Sequence, residues 1–128
     1  MLLDDIATYL QTAGIGTVNK DIFCDDYPER PDNIVGLFQY AGSPPETTHD
    51  RNEIEQPGLQ VRVRNKTSAL ALAKIEAIIA LLHMLTNTTL GTTDYLSIFV
   101  NQSPVPMGKD AVGRPEWVVN FTVKKNRG

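Results

Sequence analysis

The sequence predicts an α+β domain: a mixed or antiparallel sheet with one long helix packed on one face, a short N-terminal helix and a long-looped C-terminal hairpin. Three patterns lead to this prediction. Residues Leu59–Arg64 alternate between apolar and polar side chains, as a half-buried strand does. Residues 69–85 repeat apolar side chains at helical spacing. Two alternating strands, Tyr95–Asn101 and Trp117–Val123, are joined by a segment that contains three prolines.

Length and composition limit the possible classes of protein. A chain of 128 residues, 41% hydrophobic and 21% charged, fits one domain spanning residues 1–128. The net charge of -3 gives no electrostatic support for nucleic-acid binding. Cys24 is the only cysteine, which excludes an internal disulfide and agrees with assembly in a reducing compartment. Because Asp4 and Asp5 follow the first three residues, we expect no signal peptide, and no apolar segment is long enough for a membrane span.

The first half of the chain is predicted to contain one helix and two strands. Apolar residues at helical spacing, followed by two glycines, indicate a short helix over Leu3–Ala13. A short strand is expected at about Asp21–Cys24. Two prolines predict a turn at Tyr27–Asp32, and apolar and aromatic residues predict a buried strand at Asn33–Tyr40.

The second half is predicted to contain the main helix. Thr67 or Ser68 is expected to cap its N terminus, and the helix is expected to run to about Thr86. Its apolar stripe consists of Ala71, Ile75, Ile78, Ile79, Leu82 and Leu85. Leu59, Val61 and Val63 are expected to face the core from the preceding strand.

Two long segments are predicted to be loops. Residues Ala41–Gln56 have almost no apolar content and carry several acidic residues, so they bury too little surface to order themselves. The segment Gln102–Pro115 is longer than an ordinary hairpin loop and is stiffened by its prolines. Because this second segment contains no nucleophile, metal cluster or phosphate-binding loop, we interpret it as a shaped docking projection.

Catalytic patterns are scarce. His49 and His83 have no partner in a recognisable motif, and Cys24 is followed by two carboxylates, which raise the pKa of a thiol. We therefore expect no enzymatic activity, no metal and no cofactor. Arg62 and Arg64 share one strand face, where they either bind carboxylates or phosphates or are solvated.

Four segments resemble one family of phage proteins. They are Gln56–Arg64, Leu81–Asn87, the residues from Gln102 to Arg114, and Asn120–Val123. In these segments the chain resembles the small proteins of long-tailed bacteriophages and prophages called minor capsid or tail terminator (tail completion) proteins.

The resemblance implies a structural virion protein without catalytic residues. Proteins of this family form a hexameric ring that caps the tail tube and joins it to the head-completion (stopper) protein, and the DNA passes through the ring. The implied partners are further copies of the chain, the major tail tube protein and the stopper, with no sequence-specific DNA contact and no membrane. The implied location is the head-proximal end of the tail in the virion, after assembly in the host cytoplasm.

Three groups of residues are the candidate contacts of such a ring. Arg62 and Arg64 are assigned to the subunit interface. An axial docking loop is assigned to Pro104, Pro106, Met107, Lys109, Asp110, Arg114 and Trp117. A flexible acidic loop is assigned to Glu46, Asp50, Glu53 and Glu55. The alternative is a small phosphate- or carboxylate-binding domain or enzyme that uses Arg62, Arg64 and His83; it requires these three side chains to share one pocket.

Overall fold

The computed structural model describes residues 2–47 and 53–126. Within them, seven strands form one sheet and two helices complete the fold. The elements in chain order are α1 (Leu2–Thr12), β1 (Ile22–Cys24), β2 (Ile34–Thr47), β3 (Glu53–Arg64), α2 (Ser68–Leu82), β4 (Leu85–Leu90), β5 (Thr93–Val100), β6 (Val105–Lys109) and β7 (Pro115–Asn126).

The sheet is mixed and curls into a half-barrel. Its strand order is β1-β2-β3-β7-β5-β4, and β6 also pairs with β7. Strands β1 and β2 are parallel, whereas the other pairs are antiparallel. One edge of β7 is shared, because β5 pairs with its C-terminal half and β6 with its N-terminal half.

The predicted α+β class, with one long helix on a sheet, is wrong. Strands make up 49% of the structure, and both helices are short. Thr67 does cap α2, since its hydroxyl accepts a hydrogen bond from the Leu70 N–H at 3.2 Å. The helix, however, ends at Leu82, because His83 is extended and Met84 has a φ of 64°. The threonine-rich residues that follow form β4, in line with the preference of β-branched side chains for strands.

Both predicted long loops contain strands. Most of Ala41–Gln56 continues β2 and β3 as one long hairpin, and its residues 48–52 lie outside the described part. Of the two register shifts in the pairing of β2 with β3, the one between Ser43 and Glu46 spans Pro44 and Pro45, as expected for prolines at bulges. The C-terminal hairpin is not long-looped, because β6 extends it to a turn at 110–114. Low apolar content therefore does not distinguish a loop from a strand that pairs at an exposed edge of the sheet.

The core lies between the sheet and the two helices. The predicted alternation of β3 is confirmed, with Leu59, Val61 and Val63 buried. The corresponding residues of β7, Val119, Phe121 and Val123, are buried beside them. Both helices contribute buried stripes to the same cluster. No helix in the described part of the chain is long and apolar enough to cross a membrane.

The alternate residues of the central strands lie on the opposite face of the sheet, called here the outer face. Cross-strand register places its members in rows, so that Phe38 pairs with Gln60 and Gln60 with Asn120. The outer face consists of Phe38, Tyr40, Gln60, Arg62, Phe99, Val118, Asn120 and Thr122. The side chains of Tyr40 and Phe99 are exposed, and the others are half-buried.

Candidate interaction surfaces

Two hairpins extend from opposite ends of the sheet. The first, called the acidic hairpin, consists of residues 41–47 and 53–57 of β2 and β3. The second, called the β6–β7 arm, consists of residues 105–115. Since β3 and β7 are antiparallel, Arg64 pairs with Glu116 at the arm end and Ile54 with Asn126 at the acidic end. The two hairpins therefore lie about one strand length apart.

The β6–β7 arm presents an exposed strand and a tight turn. All five residues of β6 are exposed, and Val105, Met107 and Val112 are among the large apolar side chains left open to solvent. The turn closes with hydrogen bonds of 3.0 Å from Asp110 N–H to the Arg114 carbonyl and from Gly113 N–H to the Asp110 carbonyl. Gly113 has a φ of 86°, a conformation that favours glycine.

Asp110 and Arg114 fix the shape of this turn. The carboxylate of Asp110 accepts hydrogen bonds from the Arg114 N–H and from Arg114 Nε, both at 2.8 Å. Arg114 also donates to the Glu29 carbonyl and forms an ion pair with Asp32 at 3.2 Å. Of the predicted docking residues, these two therefore hold the turn in place. Pro106, Met107 and Lys109 are exposed, and Pro104 is half-buried.

Asp110 makes the stability of the turn sensitive to pH. Its desolvation favours the neutral acid, but the hydrogen bonds and charge of Arg114 outweigh this effect and hold the pKa of Asp110 below its ordinary value. A lowered pKa in the folded state adds stability above the ordinary carboxyl pKa, and that stability is lost as the pH falls through the folded value.

We expect Asp110→Asn to reduce the acid sensitivity of the fold. The wild type should lose more stability than Asp110→Asn between pH 6 and pH 3, because the variant lacks the titrating carboxylate. Thermal unfolding followed by circular dichroism at both pH values measures the difference. Glu76→Gln, an exposed change on α2, serves as the control. The same acid-induced loss in wild type and Asp110→Asn would contradict the assignment.

Arg64 holds the turn before β2. Its Nη2 donates to the carbonyls of Pro28 and Pro31, each at 2.7 Å, and of Glu29 at 3.1 Å. Its guanidinium also stacks on the ring of Tyr27, 5.0 Å from the ring centre. The side chain is buried, with a relative exposure of 3%. In the isolated chain these contacts give Arg64 an intramolecular role, and its assignment to a subunit interface stays a proposal that the burial does not favour.

Arg62 lies on the outer face in a different environment. It is half-buried, its guanidinium lies 5.1 Å from the centre of the Phe38 ring, and its Nε donates to Gln60 Oε1 at 2.9 Å. Gln60 in turn donates to Asn120 Oδ1 at 3.2 Å. This chain of contacts orients the guanidinium on the surface.

A second network on the outer face centres on Asn101. The Asn101 side chain donates to the Tyr40 hydroxyl at 3.1 Å and accepts from Thr122 Oγ1 at 2.7 Å. The Asn101 N–H bonds the Asn120 carbonyl at 2.9 Å. The sequence did not identify Tyr40 as a candidate residue. In the structure its ring packs over Gly58, its cross-strand partner, where an added Cβ would lie 2.3 Å from the Tyr40 ring.

The remaining predicted residues are distributed as follows. Trp117 is half-buried against the core, and its Nε1 donates to Ser68 Oγ at 3.2 Å. Glu55 forms an ion pair with the buried Lys125 at 3.2 Å. Glu46 and Glu53 lie in β2 and β3. Asp50 and His49 lie outside the described residues.

The three side chains of the ligand-binding alternative hold different parts of the molecule. Arg64 binds the turn before β2, and Arg62 packs on Phe38. His83, next to the end of α2, accepts a hydrogen bond from the Val100 N–H at 3.1 Å through Nδ1. Among the described residues there is also no cluster of three or more potential metal ligands. The contacts therefore do not favour a shared anion pocket.

The surroundings of Cys24 lower the reactivity of its thiol. Its partial burial raises the pKa of the thiol, and the charges of Asp4 and Asp25 raise it further. The Sγ donates a weak hydrogen bond to the Leu3 carbonyl at 3.5 Å.

At pH 8 we expect iodoacetamide to modify folded Cys24 at least about tenfold more slowly than urea-unfolded Cys24, because little thiolate is present. Mass spectrometry measures both rates, and equal rates would refute the expectation.

Comparisons with known proteins agree with the resemblance found in the sequence. The family model described as "Bacteriophage tail terminator protein" matches residues 9–127. A search of curated proteins found no significant match. A solved chain from the "Virion of native gene transfer agent (GTA) particle" shares the fold with a TM-score of 0.61 at 14% identity; the alignment covers 95% of this chain and 84% of that chain. Because the family match spans nearly the whole sequence, the protein belongs to the bacteriophage tail terminator family.

Proposed function

We propose that this protein forms a hexameric ring that caps the phage tail tube and joins it to the head-completion protein, with DNA passing through the ring. Membership of the tail terminator family carries the proposal. A structural role without catalysis agrees with this membership. The ring is expected at the head-proximal end of the tail, assembled in the host cytoplasm.

The position of the two hairpins supports a joining role. A ring that connects a tube to a stopper has to contact two different partners, one at each end. The β6–β7 arm and the acidic hairpin extend from opposite ends of one sheet. A rigid sheet between two projections keeps both contact surfaces at a fixed distance. We assign the β6–β7 arm to axial docking.

The arm has the composition of a docking surface. Val105, Met107 and Val112 are exposed, although burying them against a partner would be favourable. Asp110 and Arg114 fix the turn that carries them, so little conformational entropy is lost on docking. Pro104 and Pro106 restrict the strand further.

The acidic hairpin suits a position near the DNA. Positively charged rings bind phosphates tightly, which would slow a passing duplex. The segment 41–56 carries four acidic residues and one arginine, so a hairpin near the lumen would repel the backbone.

In vitro head joining tests the proposed function. Tails are purified from a phage that lacks this gene, incubated with the protein, and mixed with filled heads carrying the head-completion protein. Infectious particles should appear only when the protein is added. Tails from the complete phage, which already carry their own terminator, provide the positive control. If the gene-deficient tails join heads equally well without the protein, the proposed function is wrong.

A further inference from the structure

An open cavity lies between the turn of the β6–β7 arm and the turn before β2. Its volume is about 290 Å³, and Tyr27 and Glu29 line it on one side and the arm residues 110–112 on the other. Glu116, at the base of the arm, also lines it. Small-molecule sites usually have volumes of about 300–1,000 Å³. The size of this cavity therefore suits one long side chain of a docking protein.

Negative charge predominates around the cavity, which has four carboxylates and two guanidiniums. The carboxylates belong to Glu29, Asp32, Asp110 and Glu116, and the guanidiniums to Arg64 and Arg114. Arg114 pairs with Asp32 and Asp110, and Arg64 donates to main-chain carbonyls. Within the described part of the chain no cation forms an ion pair with Glu29 or Glu116. Two carboxylates are therefore available to a cation from outside the chain.

The Tyr27 hydroxyl lacks a hydrogen-bond partner. Its oxygen is buried and forms no hydrogen bond with any described residue. Burial and the nearby Glu116 carboxylate raise the pKa of Tyr27, so the hydroxyl stays neutral. Most buried polar groups in proteins are hydrogen-bonded, and an unpaired hydroxyl costs stability. An N–H group placed between Tyr27 and Glu116 would satisfy the hydroxyl and bind the carboxylate at once.

We propose that this cavity receives a lysine or arginine side chain of the protein onto which the arm docks, with Glu116 and the Tyr27 hydroxyl as its acceptors. The inference rests on the proposed joining role and names the chemistry of the partner. A metal ion is not favoured, because the described residues contain no group of three or more potential ligands. Val112, which lines the cavity and is 63% exposed, adds apolar surface beside the charge.

Two isosteric substitutions test the cavity in the head-joining assay. Glu116→Gln removes the charge and keeps the shape, and Tyr27→Phe removes only the hydroxyl. Each variant is titrated into terminator-deficient tails mixed with filled heads, and infectious particles are counted. Thermal unfolding followed by circular dichroism reports on the fold. Glu76→Gln, the same exchange at an exposed position of α2, is the matched control.

Joining and stability should respond differently. Glu116→Gln should need at least about tenfold more protein for half-maximal joining, because loss of one member of a desolvated charge pair is costly. Its melting temperature should stay within about 3 °C of the wild-type value, since no cation among the described residues pairs with Glu116. Tyr27→Phe should also weaken joining, yet it should melt at the same or a higher temperature, because it removes an unpaired hydroxyl. Glu76→Gln should join as the wild type does.

Photo-crosslinking identifies the partner side chain. Ala111, exposed at the cavity, is replaced by p-benzoylphenylalanine, and joined particles are irradiated and digested. Mass spectrometry should find peptides of the docking protein that contain a lysine or an arginine. Changing that residue to methionine should weaken joining as Glu116→Gln does, and the two changes together should be no worse than either alone.

Four outcomes would overturn the inference. If Glu116→Gln and Tyr27→Phe both join as the wild type does, the cavity binds no partner, while the proposed function stands. If the defects of Glu116→Gln and of the partner variant multiply, the two charges do not meet. If Glu116→Gln loses stability and joining together while Tyr27→Phe joins normally, Glu116 has a structural role only. If the wild type itself does not join heads to tails, both the proposed function and this inference are wrong.

Discussion

Replacing Arg64 with methionine is expected to lower the free energy of unfolding by about 2–4 kcal/mol. The change keeps most of the apolar stem but removes a guanidinium that bonds the carbonyls of Pro28, Glu29 and Pro31 and stacks on Tyr27. Those carbonyls then have to find water, and the turn before β2 loses its attachment to β3. Urea unfolding at pH 7, followed by tryptophan fluorescence, measures the loss.

Arg62→Met is the matched control for this prediction. Arg62 is of the same residue type and lies two positions earlier on the same strand, but it is half-buried and stacks on Phe38. Its replacement should cost less than about 1 kcal/mol, the usual size of a cation–π contact near the surface. Equal losses for the two variants would show that Arg64 does not anchor the turn.

The second large effect is expected at the tip of the β6–β7 arm. Combining Met107→Ser with Val112→Ser should reduce head joining at least about tenfold, because buried apolar anchors commonly contribute more than 1 kcal/mol each to a protein interface. Both side chains are exposed, so the fold should keep its thermal stability. The in vitro joining assay and a thermal melt measure the two effects.

Met84→Ser is the control for the arm. Met84 is another exposed methionine, but it lies beside the end of α2 and away from the arm. Its replacement should leave joining unchanged. Joining at wild-type levels with both arm changes present would refute the docking role. Exchange of the whole segment 103–115 is less informative, because it also removes Arg114 and its contacts with Asp32 and Asp110.

The parts of the fold that have a strong local pattern could be predicted from the sequence. Leu59, Val61 and Val63 alternate with polar residues over a clean strand, and their burial is confirmed. Thr67 precedes an apolar stripe, and its role as a helix cap is confirmed. The family resemblance, which drew on nearly the whole chain, is also confirmed.

Exposed strands were missed for a physical reason. The acidic hairpin and β6 are both built by backbone pairing with a neighbouring strand, and in β6 all five side chains remain exposed. Such strands need few apolar residues, so hydrophobic periodicity does not reveal them. The apolar stripe of α2 likewise continues into Leu85, which belongs to β4. Only the threonines that follow indicate the change to a strand.

The sequence also did not predict that Arg62 and Arg64 lie in different environments. Arg62 and Arg64 have the same spacing and the same predicted face. Arg64 is buried because the turn at Pro28–Asp32, more than 30 residues away in the chain, lies across it. Arg62 is not covered by that turn and remains on the outer face. Such a difference arises from tertiary contacts and leaves no local signal.

Direct imaging of tail ends tests the central claim. Terminator-deficient tails are incubated with the wild-type protein and examined by negative-stain electron microscopy, with averaging of end-on and side views of both ends. We expect a sixfold ring at one end of each tail, the end that joins the head. Tails with no added density, or with protein bound along their sides, would contradict the assignment of this chain as the ring that caps the tail.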